Sequence, residues 1–127
     1  MSYPKELKYT KDHEWVKIDG NKGTVGVTKY AVDQLGDVVY LDLPKVGTTF
    51  EAHTVFGTIE STKTVSDLYL PVSGKVVAIN QEVCDAPENL IKDVYEQGWL
   101  LKIEIANIPK DLLSATEYEE YLASAAH

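Results

Sequence analysis

The sequence predicts a mainly β chain (α+β by count), folded as a flattened barrel or sandwich of two antiparallel sheets with short helices. Three observations carry this. Short runs of β-branched and aromatic residues recur along the chain, separated by Gly, Pro, Asn and Asp turn signals. Helical spacing is confined to a few brief stretches. No repeat, low-complexity segment or Ser/Gly-rich linker breaks the 127 residues, so 1–127 read as a single domain with a real core.

The elements follow in order. Trp15, Val16 and Ile18 suit a strand, and a turn at Gly20-Asn21-Lys22-Gly23 leads to a second strand over 24–28. Thr28 can cap a helix that carries Ala31 and Leu35 four apart and ends at Gly36. Residues 38–43 form a strand stopped at Pro44, and 48–50 a short edge strand. Residues 55–61 and 64–70 make a central hairpin, and Pro71-Val72-Ser73-Gly74 turns the chain into a strand over 75–79. Residues 87–91 read as a short helix followed by a loop. Residues 98–105 form a strand with Leu101, Ile103 and Ile105 on one face. Ser114 and Glu117 form a capping box that opens a C-terminal helix over about 114–123, with Tyr118, Tyr121 and Leu122 as its apolar stripe.

Composition excludes several function classes. Twelve basic against 20 acidic residues give a net charge of −8. No basic cluster offers itself to phosphates, so nucleic acid is not an expected partner. The acidic surface suits solubility and docking onto basic patches. No apolar run approaches the roughly 18–20 residues of a membrane span, and Met1–Glu6 lacks the marks of a secretory signal or transit peptide. Cys84 is the only cysteine, so no internal disulfide forms. Its neighbours Glu82 and Asp85 raise a thiol pKa rather than lower it, which disfavours a nucleophile. His13, His53 and His127 show no ligand spacing, so no metal is expected. No Ser/His/Asp set or phosphate loop appears, and the chain reads as a non-enzyme.

The central hairpin holds the most informative residue, Lys63. With Thr62 and Lys63 as the two turn residues, Glu60 faces Val65, Ile59 faces Ser66, Thr58 faces Asp67, Gly57 faces Leu68 and Val55 faces Leu70. One face, with Val55, Gly57, Ile59, Leu68 and Leu70, is apolar and expected to be buried. The other, with Thr58, Glu60, Val65 and Asp67, is mostly polar and expected to face water. No Gly or Asn stands at the tip for a primed turn, so a type I turn is expected. Thr62 and Thr64 stiffen the backbone around Lys63. An amine held out in this way is a handle for a tethered group. It also fits an ordinary surface lysine that guards a sheet edge, and spacing alone leaves both readings open.

Beyond spacing, the chain resembles the H proteins of the glycine cleavage system. The resemblance runs through Lys8-Tyr9-Thr10-Lys11-Asp12-His13-Glu14-Trp15-Val16, Thr24–Thr28, Gln34–Tyr40 and Phe56-Gly57-Thr58-Ile59-Glu60-Ser61-Thr62-Lys63. It continues in Ser66–Tyr69, Pro71–Val76, Gly98–Ile103 and Tyr118–Tyr121, covering nearly the whole chain. The family commonly has Val before the lysine and Ala after it; here both neighbours are Thr.

The resemblance implies a lipoyl-domain-like fold and lipoate joined covalently to Lys63. It implies Glu60, Asp67 and Gly74 as recognition points for the modifying enzyme, and Glu14 and Asp67 as acids of a cleft that shelters the loaded arm. The aminomethyl group of glycine would be taken from glycine decarboxylase (a pyridoxal-phosphate enzyme) and delivered to the aminomethyltransferase, which uses tetrahydrofolate. Dihydrolipoamide dehydrogenase would then reoxidise the arm. A lipoate ligase or a lipoyl/octanoyl transferase would attach it. The carrier is expected to be a monomer, cytoplasmic in a bacterium or in the mitochondrial matrix of a eukaryote. An H-like protein that relays lipoyl groups to other enzymes, or regulates, is the alternative. A biotinyl carrier, which places Met on both sides of its lysine, and a lipoyl domain of a 2-oxo-acid dehydrogenase fit less well.

Overall fold

A computed structural model describes residues 3–125. Among these described residues, nine strands and four helices follow one another in the order β1 (Lys8–Tyr9), β2 (Glu14–Asp19), β3 (Lys22–Val27), α1 (Lys29–Leu35), β4 (Val38–Asp42), β5 (Thr49–Phe50), β6 (Val55–Ser61), β7 (Val65–Tyr69), β8 (Ser73–Ile79), α2 (Gln81–Asp85), α3 (Glu88–Lys92), β9 (Leu101–Asn107) and α4 (Ala115–Ala125). The six-stranded sheet has the order β1-β2-β3-β9-β8-β5, and the three-stranded sheet has the order β4-β6-β7. Every pairing is antiparallel, so the predicted fold class stands.

Val16, Val25, Val27 and Ile103 of the large sheet, Leu41, Ile59 and Leu68 of the small one, and Val32 and Leu35 of α1 share one buried cluster. It is the closed layer that the alternation along each strand requires. A second cluster lies on the other side of β2. Trp15 and Tyr9 pack there against Tyr118 of α4, with the Tyr9 and Tyr118 rings stacked 4.9 Å apart. Trp15 lies over Gly26, where a Cβ would come within 2.5 Å of the indole. A flat ring can rest on the sheet there only because the position is glycine.

The helices begin where capping chemistry places them. The Thr28 side chain accepts from the Ala31 amide, and α1 ends at Gly36 with φ 78°. The Ser114 hydroxyl accepts from the Glu117 amide, while Glu117 accepts from the Ser114 amide, completing the capping box.

Five details differ from the sequence reading. The strand expected over 98–105 begins only at Leu101 and runs to Asn107, because the Asn80 side chain holds the Gln97 and Trp99 carbonyls in the preceding loop. The two-residue strand β1 was not expected; it is fixed by pairing with β2 and by two backbone hydrogen bonds between Tyr9 and Leu113. Helix α2 was also not expected, since no side chain caps it; burial of Val83 holds it in place. The next strand starts at Ser73 rather than Lys75, because β9 pairs with Ser73 and Gly74 across a bulge. Finally, Val55 is exposed and Phe56 is buried, the reverse of the expected face. A bulge between Val55 and Gly57 absorbs Phe56, so Val55 pairs with Tyr69 instead of Leu70.

Candidate lipoyl-bearing site

From Gly57 to Glu60 the hairpin has the predicted register: Glu60 opposite Val65, Ile59 opposite Ser66, Thr58 opposite Asp67 and Gly57 opposite Leu68. At Gly57 a Cβ would stand 2.2 Å from the Asp42 carbonyl oxygen, so only glycine lets β4 lie this close.

The tip is closed by a serine. Ser61 Oγ accepts from the amides of Lys63 (3.2 Å) and Thr64 (3.1 Å), and the Ser61 amide donates to the Thr64 carbonyl (2.8 Å). The Thr62 amide donates to the Asp37 carbonyl in the loop between α1 and β4 (3.1 Å). Each amide from Ser61 to Thr64 therefore has a partner, and neither Thr62 nor Lys63 has a positive φ. The side-chain closure replaces the glycine a primed turn needs. Ser61→Ala removes two acceptances at once. Amide exchange at Lys63 and Thr64 should then speed up about tenfold, corresponding to about 1–1.5 kcal/mol of local stability.

Lys63 is exposed, and no ion pair among the described residues engages its ammonium. Its Nζ lies 4.0 Å from the point where a Cβ on Gly36 would stand, at the C-terminal end of α1. Glu60 and Asp67 are exposed on the outward face of the hairpin, as expected.

A cleft of about 310 Å³ runs beside α1, lined by Tyr30, Ala31 and Leu35 of that helix, by Ile59 and Leu68 of the hairpin, and by Asp12, His13, Glu14 and Asp67. Leu35 directly precedes Gly36, so Lys63 stands at one end of this helix wall. Glu14 and Asp67 both line this cleft.

Glu14 is only 2% exposed. Its Oε1 accepts from the Thr10 hydroxyl (2.9 Å) and its Oε2 from the Tyr69 amide (3.2 Å). Burial pushes its pKa up to about 8; the Thr10 and Tyr69 hydrogen bonds oppose this and fall short. Burial thus favours the protonated form of Glu14 over the carboxylate well above the usual carboxylate range.

His13 has a φ of 71° and donates its amide to the Thr10 carbonyl, which tightens the turn from β1 into β2 and sets Glu14 inward. Its Nδ1 and the Thr28 hydroxyl each lie 2.8 Å from the Tyr118 hydroxyl. Helix α4 thus fastens the cap of α1 to the cleft floor. No spacing signal in the sequence announces this link, because its members lie up to 105 residues apart.

Gly74 lies elsewhere, in β8 between β5 and β9. A Cβ there would stand 2.2 Å from the Glu104 carbonyl oxygen. Close backbone packing by itself accounts for glycine at this position. Cys84 is half-buried, and burial first, then Asp85 and Asp42, push its thiol pKa up.

These residues fit a lipoyl group. An unengaged amine can form the amide, apolar walls can take a hydrocarbon chain and ring, and a buried acid stands in the cleft. An exposed lysine on a braced hairpin beside a sheltering cleft defines a carrier domain.

The family model for the glycine cleavage H-protein matches residues 7–125. The chain is 52% identical to the glycine cleavage system H protein of Herpetosiphon aurantiacus, over 98% of this chain and 96% of the relative. It is 46% identical to that of Nitratidesulfovibrio vulgaris over the full length of both. The crystal structure of a glycine cleavage system H protein from Mycobacterium marinum superposes with a TM-score of 0.91 at 40% identity, covering 95% of this chain and 99% of that one. The chain belongs to the glycine cleavage H-protein family. It is a lipoyl-carrier component of the glycine cleavage system rather than a catalyst, and the other components of that system are its partners. Among the described residues, no helix is long and apolar enough to cross a membrane.

Proposed function

We propose that this chain carries lipoate as an amide on Lys63 and ferries the aminomethyl group of glycine from glycine decarboxylase to the aminomethyltransferase, with dihydrolipoamide dehydrogenase restoring the oxidised form. The observation that carries this reading is the unpaired Lys63 ammonium beside a cleft that holds the buried acid Glu14. The relatives at about 50% identity are bacterial, which supports a cytoplasmic carrier. Once attached, lipoate supplies a disulfide that accepts the one-carbon cargo and is later regenerated.

The protein residues supply the rest. Ser61 and Asp37 brace the tip, so Lys63 enters each partner's site from a fixed base. Tethering then gives a high local concentration once a partner has docked. The apolar side chains of α1 and β6 along the cleft would shield a bound arm from water. Glu60 and Asp67 shape the surface read by a lipoate ligase or a lipoyl/octanoyl transferase, while Gly74, in the other sheet, serves the close packing of β8 on β9. Glycine–CO2 exchange, assayed with the cognate decarboxylase and the lipoylated chain, tests the reading. Exchange that depends on the chain supports it; lipoylated chain that supports no exchange contradicts it.

Glu14 gives this site a pH signature. A cationic amine beside it favours the carboxylate, so cargo entering the cleft displaces the Glu14 proton. Cargo is expected to be held more tightly as pH rises towards about 8. The same shift acts on stability. Its ordinary value of 4.5 is raised to about 8 on folding, so between these values the folded chain holds a proton that the unfolded chain has lost. The stability contributed by Glu14 is present at low pH and falls as pH rises through this window. Urea unfolding at pH 5 and pH 8 should show wild type losing stability relative to Glu14→Gln. An unchanged difference between the two chains contradicts the assignment.

A further inference from the structure

The strand register sets Tyr40, Glu60 and Val65 in one row across β4, β6 and β7, with Asp42, Thr58 and Asp67 in the next row of the same face. The opposite face, with Leu41, Ile59 and Leu68, is buried. In β4 a bulge between Val38 and Tyr40 leaves Val39 outside the pairing. Val39, Tyr40 and Val65 are consequently 49%, 54% and 59% exposed, close around the Lys63 tip. Nothing among the described residues covers them. A bulge that displays two adjacent apolar residues has no packing purpose here, and exposed apolar side chains gathered at one place mark an interaction site.

Charge states what would cover this face. Asp37, Asp42, Glu60 and Asp67 are exposed around it, and no ion pair among the described residues engages any of them. An apolar centre rimmed by free carboxylates fits a partner groove with an apolar floor and basic edges.

Geometry selects the partner. The Lys63 ammonium rests beside Gly36, and the Thr62 amide is bonded to the Asp37 carbonyl. A protein that encloses the amine therefore meets the segment from 36 to 40. Only an enzyme that acylates the amine must enclose it; enzymes acting on cargo meet the far end of a long arm. We infer that the enzyme that acylates Lys63 docks on the outward face of the small sheet, with Val39 and Tyr40 as the centre of contact. The recognition surface thus extends beyond the hairpin onto β4. This rests on the reading of Lys63 as the attachment site. In the step so positioned, deprotonated Nζ attacks the carbonyl of an acyl adenylate. The C–N bond forms, the acyl–phosphate bond breaks, AMP leaves with the electron pair, and the nitrogen releases one proton to solvent to give the neutral amide.

The test uses the Val39→Ser/Tyr40→Ser chain with a lipoate ligase, lipoate and ATP, following acylation by intact mass against carrier concentration. The expected result is a kcat/KM lowered about tenfold, carried by KM, with complete acylation at long times. Val46→Ser, at a valine in the loop after β4 that is more exposed still, should behave as wild type. Thermal unfolding of all three chains should agree. Acylation of the double variant at the wild-type KM would overturn the inference. So would a wild-type dimer, seen by sedimentation, that the same substitutions dissolve. Wild-type chain that takes no lipoate would instead sink the attachment site itself, and the inference with it.

Discussion

Lys63→Arg is expected to abolish lipoylation completely while leaving the fold intact. The guanidinium keeps the charge but cannot lose a proton to become a nucleophile. The side chain is exposed and in no ion pair among the described residues, so the stability change should stay within about 0.5 kcal/mol. Ser61 Oγ bonds the backbone amides of the tip, which survive the substitution. Intact mass after incubation with a lipoate ligase should show only unmodified chain, with thermal unfolding matching wild type. Modified Lys63→Arg chain would place the attachment site elsewhere. A collapsed unfolding transition would show that the lysine is structural.

Gly74→Ala should act through the fold. The added Cβ would stand 2.2 Å from the Glu104 carbonyl oxygen and 2.9 Å from Ile103, so β8 and β9 must separate. These strands pair along most of their length in the middle of the large sheet, where a backbone oxygen has little room to yield. The expected cost is about 3 kcal/mol, lowering the thermal midpoint by about 10 °C. The molecules that remain folded should accept lipoate at close to the wild-type rate, because the hairpin and its register belong to the other sheet. An unchanged midpoint with slowed lipoylation would make Gly74 a direct contact for the modifying enzyme.

Local chemistry made much of this legible in the sequence. The alternation on either side of Lys63 sets the register from Gly57 to Glu60, because a slip by one residue would bury Glu60 and expose Ile59. The capping box at Ser114 and the glycine after Leu35 mark helix ends for reasons that act within one turn. Long-range effects were hidden. The bulge at Phe56 reverses the face of Val55, and no dipeptide signals it. Helix α2 has no capping side chain and exists because Val83 has a core to enter. Glu14 reads as an acid beside a tryptophan. Its burial, and hence its proton, depends on Thr10, Tyr69 and the cleft assembled around them. The link from Tyr118 to His13 and Thr28 joins opposite ends of the chain. The braced tip was visible as a tip, but not its brace, since Ser61 and Asp37 reveal their roles only in the folded backbone.

Peptide mapping by tandem mass spectrometry, after incubating the wild-type chain with a lipoate ligase, lipoate and ATP, tests the central claim most directly. One lipoyl group is expected, on Lys63 alone, with the formal charge of −8 becoming more negative by the one cation lost. Unmodified chain, under conditions in which the ligase modifies another lipoyl acceptor, would contradict the claim, as would a lipoyl group on any other lysine.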